Sequence, residues 1–152
     1  MTGLRTNFLN KITDTIIFVL TPITLGITIY WTSRTKNINI YHWIEARYIP
    51  EPPVLLSEII ESSPQWFIYN LPDLLWVFSF TSFLLIIWNK KISKKNCYYI
   101  IFPLIFAIIH EISQYFSIID GTFDPIDLIF YLFGSFTSIL LLKYSMKVRA
   151  SQ

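Results

Sequence analysis

Four stretches of this chain are long and apolar enough to cross a bilayer as helix: residues 15–31, 71–88, 98–116 and 126–142. A hydrocarbon core about 30 Å thick takes roughly 17–25 residues of helix, because backbone groups in lipid must satisfy one another. Each stretch lies near the short limit, so the spans are expected to stand with little tilt. Pro22 and Gly26 fall inside the first and Pro103 inside the third, and both still read best as spans. Composition agrees, with 53% hydrophobic and only 14% charged residues, against about 25% charged in a soluble domain. An ordinary soluble enzyme and a disordered chain are excluded. The single cysteine excludes an internal disulfide. The expected fold is a single all-α domain over residues 1–152, a polytopic bundle of four transmembrane helices.

The apolar run after Arg5 and Lys11 could pass for a signal peptide, but it ends in Ile29-Tyr30-Trp31 without a small-residue cleavage pattern. The first helix is therefore expected to be retained. Nine of the twelve Lys and Arg lie before the first span, between the second and third, and after the fourth: Arg5, Lys11, Lys90, Lys91, Lys94, Lys95, Lys143, Lys147 and Arg149. The positive-inside rule puts those segments, and with them both termini and Cys97, on the cytoplasmic side. The acids from Glu45 through Asp73, Glu111, Asp120, Asp124 and Asp127 then gather at or near the outer face.

The outer loop, residues 32–70, is not a polar linker: Tyr41, Trp43, Tyr48, Trp66, Phe67 and Tyr69 alternate with charges and with Pro50, Pro52, Pro53 and Pro64. Within Val54–Ser62, the residues Leu55, Leu56, Ile59 and Ile60 recur at helical spacing opposite Glu58 and Glu61. That pattern predicts a short amphipathic helix on the outer leaflet, anchored by Tyr and Trp at headgroup depth. The loop is either an interfacial cover or a docking surface for another membrane protein.

The second and fourth spans begin alike, Asn70-Leu71-Pro72-Asp73 and Asp124-Pro125-Ile126-Asp127, and later carry Phe80-Thr81-Ser82 and Phe136-Thr137-Ser138. The later match needs a two-residue gap, so the duplication is weak. An Asx residue before Pro, with an acid in the first turn, is a helix start in which the cap accepts from free N–H groups. Capping therefore accounts for Asn70, Asp73, Asp124 and Asp127 taken singly.

Ionisable residues inside a bilayer are functional candidates by default. Counting about 1.5 Å per residue, Glu111 lies roughly 20 Å above the inner edge of the third span. Gln114 at i+3 shares its face, and His110 is four residues before Gln114. A carboxyl this deep must find donors or keep its proton. The candidate ligand-binding set is Glu111, Gln114, Asp127, Asp124, Asp73 and His110, with hydrogen bonding between helices as the competing structural role. Gly121 reads as a turn residue, and Gly134 with Ser135, Thr137 and Ser138 as a smooth face for close helix approach. The paired spacings of HExxH or CxxC metal sites do not occur, nor does a nucleophile triad or a phosphate-binding glycine loop. No cofactor or metal is expected, and an enzyme is disfavoured.

Glu111-Ile112-Ser113-Gln114, then Gly121-Thr122-Phe123-Asp124-Pro125-Ile126-Asp127 and Gly134, resembles the C-terminal motif of the VanZ-like membrane proteins. The likeness covers residues 111–134. It implies a small polytopic protein of the bacterial cytoplasmic membrane, with Glu111, Gln114, Asp124 and Asp127 as functional positions. The family's basic residue near Gly121 is absent here, and Tyr131 stands where an Asn is common. Three functions are open at this point: recognition of a lipid or envelope ligand through the outward polar cluster, a structural subunit of a larger membrane complex, and an intramembrane enzyme or cation carrier. The expected partners are membrane lipid and, through the outer loop, a membrane protein. A net charge of +2 is too small to argue for nucleic acid.

Overall fold

A computed structural model describes residues 2–33 and 52–151, and all regular structure among them is helical. Most of the expected outer loop, with Tyr41, Trp43, Glu45 and Tyr48, lies outside the described residues. The helices are α1 (Thr2–Thr15), a π-helical segment (Ile16–Leu20), α2 (Thr21–Ser33), α3 (Val54–Glu61), α4 (Gln65–Tyr69), α5 (Leu71–Ile87), α6 (Cys97–Tyr115) and α7 (Pro125–Ala150). Four stretches of helix are long and apolar enough to cross a membrane: Phe8–Ser33, Gln65–Ile87, Cys97–Tyr115 and Pro125–Arg149. The chain is a multi-pass membrane protein, folded as an all-α four-helix bundle.

The first span runs further in both directions than its apolar core at 15–31 suggests. It stays continuous through Pro22 because the chain first widens. The Thr21 N–H reaches back to the Ile16 carbonyl, and the Thr21 hydroxyl joins it at 2.9 Å. A wide turn takes up the missing proline donor and the crowding of its ring against the preceding turn. The fourth span continues two turns past 142, since a helix leaving the membrane needs no further apolar residues once its backbone bonds run on. That extension carries Ser145 and Arg149.

Half of the second span's apolar window is buried, more than in any other span, and α5 packs against the first span, α6 and α7. Two apolar clusters stack along it. Val77 meets Leu104, Ala107 and Tyr131, and further along Leu85 and Ile86 meet Ile100 and Leu142. Between them lies a polar layer in which Ser82 and Ser138 share a hydrogen bond of 2.9 Å. A Cβ on Gly134 would come within 2.7 Å of the Leu74 carbonyl oxygen, so the glycine is what lets α5 and α7 approach. The two helices lie side by side and parallel, with Asn70 beside Asp127, Ser82 beside Ser138 and Lys90 beside Ser145. The like starts of the second and fourth spans thus meet in space.

Large apolar side chains point outward along α6, including Phe102, Ile105, Phe106 and Ile109. Such rows belong against hydrocarbon. The amphipathic helix forms as Val54–Glu61, with Ile60 buried and Leu56 half-buried on the side facing α2. Val54, Leu55 and Ile59 remain exposed, so only half of the apolar face is covered by protein.

Candidate functional site

The bundle has an acidic end, where Ser33, Asn70, Tyr115 and Asp124 terminate helices, and a basic end, where Asp14, Lys90 and Arg149 meet. At the acidic end residues of all four spans line an open cavity of about 680 Å³. All six residues singled out in the sequence line it: Asp73 from α5, His110, Glu111 and Gln114 from α6, and Asp124 and Asp127 at the start of α7. Tyr30, Trp66 and Tyr69 supply aromatic wall.

Glu111 is 2% exposed. Its Oε1 accepts from the Asp124 backbone N–H at 2.6 Å, and its Oε2 from the Tyr131 hydroxyl at 3.4 Å. The deep carboxyl thus finds donors across the helix interface. Asp124 is extended, with φ −125°, and its Oδ1 accepts from the Ile126 N–H at 2.8 Å. The expected cap is present, and the same residue's N–H orients Glu111. One residue therefore starts α7 and ties it to α6.

Asn70 departs from its expected role. Its side chain makes no cap bond to α5, whose helical path already begins at Gln65 apart from a break at Asn70. Instead its amide donates to Asp127 Oδ1 at 2.7 Å and to Asp124 Oδ2 at 3.3 Å. Two amide protons serve two acids, which uses the full donor capacity of the group. Asn70 is 4% exposed while Asp124 and Asp127 are half-buried, so the acids of α7 are joined to α5 at the edge of the cavity.

Gln114 packs over Gly121, where a Cβ would overlap the side-chain amide. Gly121 has φ +140°, a backbone conformation that side-chain-bearing residues rarely adopt, so glycine answers both the turn and the close approach. The Gln114 carbonyl accepts from the Ser117 N–H at 2.9 Å, while its side-chain amide makes no hydrogen bond among the described residues and lines the cavity. His110 and Asp120 are exposed at the rim, and Asp73 is half-buried. Among the described residues no three His, Cys, Asp or Glu side chains form a group that could hold a metal ion.

Two members of the site went unread as such in the sequence. In the sequence Asn70 has the form of a cap, and Tyr131 stands out only as the residue found where an Asn is common in the motif that the chain resembles. A signal for Tyr131 existed: it stands four residues after Asp127, on the same helix face, with a polar tip that needs a partner when buried. Compared with known protein families, curated proteins and solved structures, the chain matches none, so the site's meaning rests on its own geometry.

Proposed function

We propose that the chain is a VanZ-like protein of the bacterial cytoplasmic membrane that binds a lipid or cell-envelope ligand in the cavity at its acidic end, as a recognition protein rather than an enzyme. One observation carries the reading: Asp73, His110, Glu111, Gln114, Asp124 and Asp127 converge on a single cavity of about 680 Å³ between the spans. That volume lies in the range of about 300–1,000 Å³ typical of small-molecule sites. Its walls combine aromatic rings with amide and carboxyl groups, which suits a ligand having an apolar body and a polar head. Glu111 and Asp124 hold the site's shape, and Gln114 offers the cavity a donor and an acceptor.

Both termini are cytoplasmic in this reading and the cavity opens outward, on the strength of nine of the twelve Lys and Arg lying in the segments of the basic end. A cysteine placed at Ser57 should react with an impermeant thiol reagent in intact spheroplasts while Cys97 stays protected. The reverse pattern would turn the cavity inward. Binding is tested by purification in mild detergent and mass spectrometry of what is retained. A small molecule or lipid held by the wild type and lost from Glu111→Ala supports recognition in the cavity. A stoichiometric protein would favour the subunit reading, and a retained metal the carrier.

A further inference from the structure

We infer that the opposite, basic end of the bundle is a docking surface for the headgroups of anionic phospholipids in the leaflet that it faces. The argument begins with the segment between α5 and α6. Helix α5 stops in a paired motif: the Asn89 N–H bonds the Ile86 carbonyl at 3.1 Å and the Lys90 N–H the Leu85 carbonyl at 2.6 Å. Asn89 has φ +52°, and Asn is one of the few residues that takes this left-handed position readily. Lys90 then turns inward, its Nζ 2.6 Å from Asp14 and 3.2 Å from the Ser145 hydroxyl. The remainder of the turn is fixed by Asn96, 3% exposed. Its Oδ1 accepts from the Ser93 N–H at 2.7 Å and its Nδ2 donates to the Lys91 carbonyl at 2.8 Å.

A rigid turn thus holds Lys91, Lys94 and Lys95 in an exposed position beside the end of α7, which exposes Lys143 and Lys147 one turn apart. None of these five makes an ion pair among the described residues. Asp14, the one acidic side chain at this end among the described residues, is 1% exposed and already held by Lys90 and by Arg149, whose two nitrogens sit 2.9 Å from its two oxygens. Among the described residues nothing there neutralises the five lysines.

Their setting selects a lipid. Trp88 and Tyr99 stack beside them with ring centroids 6.2 Å apart, both exposed, where the second span ends and the third begins. Amphipathic rings at helix ends sit at headgroup depth. Lysines fixed at that level face phosphate-bearing headgroups, and a basic cluster next to a membrane span attracts anionic lipid in a salt-sensitive way.

The test uses the full chain in mixed micelles holding equal amounts of phosphatidylglycerol and phosphatidylcholine, with native mass spectrometry reading the lipids retained. The wild type should enrich phosphatidylglycerol by about five-fold or more, falling toward parity at high salt. Joint replacement of Lys91, Lys94 and Lys95 by Gln should remove most of that enrichment, and adding Lys143→Gln and Lys147→Gln should remove the rest. The melting temperature should hold, since these side chains have no partner to lose among the described residues. Equal retention of the two lipids by the wild type would overturn the inference, as would enrichment that survives all five replacements. So would displacement of the lipid by inorganic phosphate, or enrichment that vanishes in Glu111→Ala with the lysines intact, which would place the headgroup in the acidic cavity.

Discussion

Among the described residues each end of the bundle buries one carboxyl group, and the two are handled in opposite ways. Asp14, 1% exposed, lies between Lys90 and Arg149 at 2.6–2.9 Å. Glu111, 2% exposed, has a backbone N–H and a phenol. The first arrangement answers charge with charge and closes on itself, joining the first span, the turn after α5 and the end of α7. The second uses neutral donors and leaves a cavity beside it. Equal burial therefore does not mean equal surroundings: Asp14 is enclosed by its own counter-ions and joins helices by charge, whereas Glu111 is oriented by neutral dipoles beside an open space.

The largest expected effect falls at the closed end. Asp14→Ala leaves Lys90 buried without a counter-charge, and removing one partner of such a pair costs about 3–5 kcal/mol. Denaturant unfolding in mild detergent measures it. A cost near the roughly 0–1 kcal/mol of a surface pair would break the contrast, showing that Lys90 swings out to water. Arg149→Ala should cost less than Asp14→Ala, since Arg149 is 31% exposed and Lys90 stays in place.

At the open end, Glu111→Ala orphans the Asp124 N–H, a loss of about 1–3 kcal/mol. Glu111→Gln keeps an acceptor for that N–H and should unfold closer to wild type. If Gln and Ala variants are equally destabilised, the ionised group itself holds the fold, and the two ends are alike after all.

Comparable in size is the effect at the crossing that joins the ends. Gly134→Ala would drive a Cβ against the Leu74 carbonyl, which belongs to the backbone and cannot swing aside, and overpacking of this kind costs about 1–3 kcal/mol. Gly26→Ala should be close to neutral, because its Cβ would meet Leu75 and Pro72 no nearer than 3.5 Å. Unfolding midpoints of the two variants compare them directly. Equal midpoints would mean that α5 and α7 have room to part.

The smallest effect is expected for Asp124→Asn. Asn caps a helix about as well as Asp, within a few tenths of a kcal/mol, and the backbone N–H that serves Glu111 is unchanged. Stability should hold while ligand retention reports whether the charge matters. A large destabilisation would mean that the Asn70 bond to Asp124 outweighs the cap.

The spans were legible because hydrophobic length is a local property, and the amphipathic helix at Val54–Glu61 because helical spacing is too. Of the six cavity residues, Glu111, Gln114 and His110 stand out as polar groups deep in an apolar stretch, and Asp73, Asp124 and Asp127 as acids that the starts of the second and fourth spans bring to the same face. Asp14 escaped that question, standing ahead of the first apolar run among Thr13 and Thr15, where an acid reads as solvated. Its partner Arg149 is 135 residues away along the chain. Asn70 was read as a cap because it has the residue type and the following Pro72 of one, yet α4 lies directly before it, so the helical path already has donors and acceptors in place there.

By itself the sequence determined how many times the chain crosses, which charges fall at which end, and that Asp124 starts a helix, since each follows from residues within a few turns of one another. Only the tertiary structure decided that α5 and α7 run side by side on the contact at Gly134, that Asp14 takes both Lys90 and Arg149, and that Glu111 answers to Asp124 and Tyr131. Those pairings depend on how helices settle against one another in depth and rotation. In lipid that choice is made by close packing and by the few polar groups able to meet, not by the apolar pattern that puts the helices in the membrane.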